Sequence, residues 1–371
     1  MNRILSPTTD ETTGLGDPLR LLTRDGVRLA HPLLDPWIAD VDAGSLRDLY
    51  RDMVLARRVD LEGVALQRQG ELALWAPAAG QEAVQVATAH ACRADDFLFP
   101  SYRELGLLLV RGATARDTVL TWRGERLCAY DPHTLSIAPT QIIVGAQSLH
   151  AVGYGMGVQR DGGDQVAVAY FGDGATSEGD VHEAMVFAAS FQAPVVFVCS
   201  NNQWAISEPV RVQSRAPLAA RAHGHGIPSL RVDGNDALAC TAAMRWALDH
   251  ARRGRGPAFL EAVTYRIGPH TTSDDPTRYR DDADVEQWRQ ADPITRFDAY
   301  LRAQGIIDDA FAGAAQTSAE EFAAAMRREA HTAVTDEPAS VFDHVYVEPH
   351  RGLAEQRTRF SAYLDTFEEE E

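Results

Sequence analysis

Asp173, set between Gly172 and Gly174, and the pair Asn201-Asn202 each close an apolar run of the chain. A carboxylate oxygen from Asp173 and an amide carbonyl oxygen from Asn202 are hard donors. Magnesium takes such donors when phosphate and water complete its shell. Gly174 carries no Cβ, so backbone N–H groups there can approach a phosphate closely. The position is also the expected start of a helix, whose dipole favours anions. Gly-Asp-Gly alone is a tight turn and Asn-Asn alone a cap. Together, at the ends of neighbouring strands, they describe a metal–diphosphate site.

That placement depends on the elements around them. Val166 to Phe171 reads as one buried strand and Val195 to Val198 as a second, with a helical segment between. Such a βαβ unit binds ligands outside the carboxyl ends of its strands, which sets Asp173 and Asn202 side by side at the mouth of a crevice. Further on, IPSLRVDGND and PAFLEAVTYRIG are expected strands, and ALACTAAMRWALDHARR is the helix between them. The alternation indicates an α/β fold with a doubly wound, mostly parallel sheet.

Residues 1–43 are rich in Pro, Gly, Thr and Asp and are expected to form an arm. A helix is expected from Ser45, with Asp48 in capping-box spacing. Pro77 and Gly80 mark a turn into a helix near Gln81, and Tyr102-Arg103 precede another. Residues 122–141 form a long, irregular polar stretch of the kind that is functional or mobile. Gly153, Gly155 and Gly157 suit close packing of a helix. They are no dinucleotide fingerprint, because no strand ends directly before them. Residues 268–282 read as an exposed loop, and the chain is mainly helical from Asp292 to an acidic end, Glu368 to Glu371. The expected organisation is an arm at 1–43, an α/β domain at 44–335, and a tail at 336–371 that packs on an assembly.

The bulk composition is that of a globular protein of 371 residues, 45% hydrophobic and 24% charged. A net charge of −18 opposes nucleic-acid binding. Cys92, Cys128, Cys199 and Cys240 are widely separated, with neither metal nor disulfide spacing, which points to a reducing cytoplasm. The N-terminal residues lack the apolar core of a signal peptide, and no apolar run is long enough to span a bilayer.

Gly-Asp-Gly followed by Asn-Asn across a helix and a strand resembles the thiamine diphosphate motif. The wider sequence resembles the alpha subunit of the decarboxylating component of 2-oxo acid dehydrogenase complexes. The blocks are APAAGQEA, SYRELG, IIVGAQ, YFGDGATSEGD, NNQWAIS, RVDGND, YRIGPHTTSDDPTRYR and FDHVYVE, in order from about residue 45 to about residue 350. The resemblance implies a sheet of the thiamine diphosphate-binding type and assigns roles by position. Asp173, Asn202 and the backbone carbonyl of Trp204 hold Mg2+. Gly174 and Ala175 bind the diphosphate through backbone groups, and Tyr102 and Arg103 reach the cofactor. Val144 offers its backbone to the aminopyrimidine. His270 lies near the diphosphate and the reacting centre as the catalytic group. Asp180 and Glu183, one turn apart, are either surface charge or part of a proton path that links two active sites.

The implied assembly is an α2β2 heterotetramer with a beta subunit that supplies the activating glutamate, bound to a lipoyl acyltransferase core. Oxidative decarboxylation of a branched-chain 2-oxo acid is the expected activity, with pyruvate as the alternative substrate. A non-catalytic assembly subunit is the reading from a different class. Three positions depart from the family pattern. Ser200 stands where relatives of the branched-chain class often carry Arg. Pro269 replaces a second histidine of some relatives, and Thr271 replaces the phosphorylatable serine of mitochondrial relatives. The segment LWAPAAG lacks the histidine of many pyruvate enzymes, and its small apolar residues leave room for a branched side chain.

Overall fold

The computed structural model describes residues 16–124, 128–332 and 337–368. The first fifteen residues of the expected arm, residues 125–127 of the polar stretch, and residues 333–336 and 369–371 lie outside the described residues. The chain divides into two units, Met1–His331 and Thr332–Glu371.

Five parallel strands form the central sheet: β1 (Phe97–Phe99), β2 (Ala167–Gly172), β3 (Val195–Asn201), β6 (Ser229–Asp233) and β7 (Ala258–Val263), in the order β1-β2-β3-β7-β6. Two short strands, β4 (Trp204–Ala205) and β5 (Glu208–Pro209), pair antiparallel just after β3. Side chains alternate across the sheet. Val168, Tyr170, Val196 and Val198 pack with helices α1 (Ala43–Arg68), α2 (Glu82–Ala91), α3 (Leu105–Val110) and α10 (Ala237–Arg252). Ala167, Ala169, Phe171 and Phe197 pack with α6 (Ala146–Asp161) and α7 (Gly179–Phe191). Both faces are covered, which is why the strands read as continuous apolar runs. This is the expected doubly wound architecture.

Between these elements lie α4 (Ala115–Arg123), α5 (Pro132–Leu135), α8 (Val210–Gln213) and α9 (Ala219–Gly224). Helices α11 (Asp282–Arg289), α12 (Pro293–Ala303) and α13 (Asp309–Thr332) follow β7. The second unit holds a 3-10 turn at Pro338–Phe342 and α14 (Arg351–Glu368), joined by Phe342 against Phe360 at 5.7 Å. Among the described residues, no helix is long and apolar enough to cross a membrane.

Three expectations are corrected in detail. The first long helix starts at Ala43, not Ser45. Asp42 is its N-cap and accepts from Ser45 N at 2.7 Å, while Asp48 pairs with Arg51 instead of capping. The segment after Gly172 is a 3-10 turn, Asp173–Ser177, and α7 begins only at Gly179 because Glu178 is extended. Gly174 therefore does not open an α-helix, and any anion there meets turn N–H groups without an α-helical macrodipole. Of the three glycines of α6, only Gly155 packs closely, where a Cβ would stand 3.0 Å from Val195; Gly153 and Gly157 have nothing within 4 Å.

The two sheet edges are covered. Leu19 of the N-terminal segment bridges β6, donating to Arg231 O and accepting from Asp233 N, both at 2.9 Å. Leu98 of β1 likewise donates to Ser136 O and accepts from Ala138 N. Leu21 and Leu22 are fully buried and donate their N–H groups to Asp236. The described part of the expected arm is thus anchored in the core through Leu21, Leu22 and Leu34.

Candidate active site

Beyond the carboxyl ends of β2 and β3 lies a cavity of about 450 Å³, and Asp173, Gly174, Ala175, Asn202, Trp204, Val144, Tyr102, Arg103 and His270 all line it. The structure thus brings every sequence-predicted site residue to one place. The register explains the metal end. Gly172 pairs with Ser200, so the chain turns out of both strands at the same level and delivers Asp173 and Asn202 to one rim.

Asp173 is 1% exposed. Its Oδ2 accepts from Gln213 Nε2 at 3.0 Å, while its Oδ1 is buried without a partner among the described residues. Burial pushes its pKa up to about 6, against the pull of the Gln213 amide. Asn202 donates to Gln81 Oε1 at 3.4 Å, and its Oδ1 accepts from Trp204 N at 3.3 Å. Gly174 is required by contact: a Cβ there would lie 2.8 Å from the Cβ of Ala205 on β4. The Trp204 carbonyl accepts from Arg266 at 3.3 Å and keeps one lone pair free.

Two buried arginines lie at this end, Arg103 lining the cavity and Arg266 behind its Trp204–Ile206 rim, and among the described residues neither forms a salt bridge. Arg103 donates to Pro77 O at 2.6 Å and to His270 O at 2.9 Å, and also reaches His270 Nδ1 at 3.2 Å. Arg266 donates to the carbonyls of Trp204 and Ile206 and to Tyr279 OH. Burial, and then the charge of Arg103, lower the Arg266 pKa to about 10. His270 is held down to about 4 by burial and then by Arg103 and Arg266. A guanidinium only donates, so His270 Nδ1 is the acceptor and the neutral ring carries its proton on Nε2. The Tyr102 ring stands edge-on to His270 at 6.0 Å and under the Arg103 cation at 5.4 Å.

The loop that carries His270 is fastened at both ends. His270 N and Tyr279 OH donate to Asp274 Oδ2 at 2.8 and 2.5 Å, and Arg280 donates to the carbonyls of Arg266, Ile267 and Gly268. Thr272 N donates to Trp75 O, and Trp75 N donates back to the Thr272 hydroxyl. The facing wall, Trp75 to Gly80, is shaped by Asp60 of α1, which is 2% exposed. Asp60 accepts from Trp75 Nε1 at 2.8 Å, Ala78 N at 2.9 Å and Ala79 N at 3.0 Å. Leu74, Ala76 and Trp122 give that side of the cavity an apolar surface.

These residues fit a divalent cation with a diphosphate. Asp173 Oδ1, Gln81 Nε2 and Ser200 Oγ are buried on the cavity without partners among the described residues. Such orphans are rare unless a ligand completes them. The hard oxygen donors suit Mg2+, and the Arg103 guanidinium on the cavity wall, without a salt bridge among the described residues, suits phosphate. Among the described residues no group of three or more His, Cys, Asp or Glu is positioned for a metal. A site with one carboxylate, one side-chain amide and the Trp204 carbonyl leaves the remaining positions to phosphate and water. Asp180 and Glu183 are both exposed on α7, and neither lines the cavity.

Sequence reasoning missed Asp60, Gln81, Gln213 and Arg266. Gln81 and Arg266 sit inside the blocks AAGQEA and YRIGPH, so the motifs contained them unread. Gln213 and Asp60 gave no signal, because each acts through a fold contact distant in sequence.

The family model described as "Dehydrogenase E1 component" matches residues 50–339. The chain is 47% identical over 353 residues to the 3-methyl-2-oxobutanoate dehydrogenase subunit alpha of Mycobacterium tuberculosis, covering 94% of each chain. It is 40% identical over 328 residues to the pyruvate dehydrogenase E1 component subunit alpha of Acholeplasma laidlawii, covering 86% of this chain and 94% of that one. The Staphylococcus epidermidis protein of the same name is 36% identical over 349 residues, covering 94% of this chain and 93% of its own.

Proposed function

The chain belongs to the dehydrogenase E1 component family, and on that premise we propose that it is the alpha subunit of a branched-chain 2-oxo acid dehydrogenase acting on 3-methyl-2-oxobutanoate and its homologues. The family is thiamine diphosphate-dependent. The observation that carries the cofactor reading is a buried Asp173 oxygen without a partner in the same cavity as the Arg103 guanidinium, which forms no salt bridge among the described residues. The substrate reading is supported by the 47% identity along 94% of the chain and by the apolar Leu74–Ala76 wall, which has no histidine.

In this reading Asp173, Asn202 and the Trp204 carbonyl hold Mg2+, and the N–H groups of the Asp173–Ser177 turn with Arg103 hold the diphosphate. When bound, thiamine diphosphate supplies the nucleophilic carbon that adds to the 2-oxo group and the electron sink for loss of carbon dioxide. His270, neutral at pH 7, presents its Nε2 proton to oxygen charge developing on the substrate. Leu74, Ala76 and Trp122 exclude water and receive the branched side chain. A beta subunit in an α2β2 assembly completes the site, and the acyl group leaves on a lipoyl arm of the acyltransferase core.

The test uses the co-purified αβ complex, supplied with Mg2+ and thiamine diphosphate, and measures carbon dioxide release from 3-methyl-2-oxobutanoate and from pyruvate. Preference for the branched acid is expected. A clear preference for pyruvate overturns the substrate. Absence of cofactor-dependent decarboxylation of either acid favours the assembly-subunit reading.

A further inference from the structure

The two oxygens of the Asp173 carboxylate are not equivalent. Oδ2 accepts from Gln213 Nε2 at 3.0 Å, whereas Oδ1 has no partner among the described residues, in a residue 1% exposed. Gln213 is the last residue of α8, forty positions from Asp173, and its Nε2 also donates to Glu208 O at 3.3 Å. Arg221 of α9 donates through one terminal nitrogen to Gln213 O at 3.0 Å and through the other to Thr176 O and, at 2.7 Å, to Thr176 Oγ1. The Thr176 hydroxyl donates in turn to Asp173 O at 2.7 Å. The links close a ring: Asp173, Gln213, Arg221, Thr176 and back to Asp173.

The ring is also tied to the second donor. Val210 N, at the start of α8, donates to Gln203 O at 3.0 Å, next to Asn202. Gln203 adopts the left-handed conformation, with φ +74°, and Asn201 Oδ1 accepts from its side chain at 3.0 Å. The segment from Gln203 to Arg221 is therefore a clasp that spans the ends of β2 and β3.

We infer that Gln213, held by Arg221, is a positioning residue that occupies Oδ2 of Asp173 and so offers the cation a single carboxylate oxygen, Oδ1. The inference rests on the cofactor reading above. One-oxygen presentation matters because the two common divalent cations differ. Mg2+ is small and demands near-ideal octahedral geometry, whereas Ca2+ accepts a carboxylate through both oxygens. With Oδ2 occupied the site favours Mg2+. With Oδ2 released, the carboxylate can turn and chelate Ca2+.

The experiment measures thiamine diphosphate binding to the co-purified αβ complex by tryptophan fluorescence and calorimetry, as Mg2+ or Ca2+ is titrated. Gln213→Met keeps the length of the side chain and removes the donor. It is expected to lower the preference for Mg2+ over Ca2+ by about tenfold, the effect of losing one hydrogen bond to a charged group. Arg221→Lys, which loses the forked donation, is expected to shift the preference in the same direction by a smaller factor. It carries the test if Gln213→Met does not assemble. A purely structural role lowers the thermal midpoint and moves both cation curves together, and an unchanged Mg2+ to Ca2+ ratio in a folded variant overturns the inference alone. If the parent complex binds thiamine diphosphate without any divalent cation, the cofactor reading falls and the inference with it.

Discussion

Replacing Asp60 by asparagine separates the cost of burying a charge from the value of the bonds that charge makes. The carboxylate accepts from the Trp75 indole and from Ala78 N through Oδ1, and from Ala79 N through Oδ2. Asparagine keeps the first two. It places an amide N–H against the Ala79 N–H, which costs about 1–3 kcal/mol. Against that loss stands ionisation. Burial raises the Asp60 pKa from 3.8 to about 6, and at about 1.4 kcal/mol per unit the charged form costs on the order of 3 kcal/mol in the folded chain. An acid whose folded pKa lies above its unfolded one binds its proton more tightly when folded. The parent therefore loses stability as pH rises from about 4 to about 6 and changes no further above that window. Asparagine has no such term. Thermal midpoints of parent and Asp60→Asn complexes across that range should therefore converge and then cross, with the variant weaker in acid and equal or stronger at neutral pH. A difference independent of pH, or one that grows in favour of the parent as pH rises, would refute the assignment of a raised pKa to Asp60.

Asp173→Asn should abolish Mg2+-dependent thiamine diphosphate binding in calorimetry while the αβ complex still assembles, because it removes the buried carboxylate oxygen that has no partner among the described residues. Ala76→Leu should fill the apolar side of the cavity and reduce kcat/KM for 3-methyl-2-oxobutanoate relative to pyruvate by about tenfold, the scale of one or two methylenes in a pocket. His270 should stay neutral down to about pH 4 in the cofactor-free complex. Its pKa should rise when thiamine diphosphate binds, as the diphosphate offsets Arg103 and Arg266; histidine-selective NMR reads this shift, and a fall on binding would contradict the placement of those cations.

The sheet was legible because β2 and β3 are buried on both faces and so appear as apolar runs ending in glycine or polar residues, and β7 is apolar except for the buried Glu261. Edge strand β1 escaped notice, since three residues carry too little pattern. The donors Asp173 and Asn202 were visible because chemistry fixes their residue types. The residues that hold them were not. Gln213 reaches Asp173 from forty positions away, and Asp60 reaches Trp75 and Ala78 from another helix. A glutamine at the end of a four-residue helix looks like any surface glutamine until the fold brings it to a carboxylate. The start of α7 was misplaced for a related reason. Arg221, far along the chain, takes the Thr176 carbonyl, and Glu178 is extended, so the turn after Asp173 stays 3-10.

The charges of the site explain why its parts are costly alone. Among the described residues, one oxygen of the buried Asp173 has no partner, and the buried Arg103 and Arg266 form no salt bridge. In the same cavity burial, and then those two cations, keep His270 from taking a proton. These charges are held by separate elements: Asp173 by the β2 turn and its clasp, Arg103 on the cavity by Pro77 and His270, and Arg266 behind the rim by Trp204, Ile206 and Tyr279. None of these contacts lets the opposite charges collapse onto one another. A divalent cation answers the carboxylate and a diphosphate answers the guanidiniums, so the bound pair removes two unfavourable terms at once, and neither half does so alone. Binding of the metal and of the diphosphate should therefore be strongly cooperative, each raising the affinity of the other by the same factor. The fold achieves this by keeping apart charges that would otherwise pair.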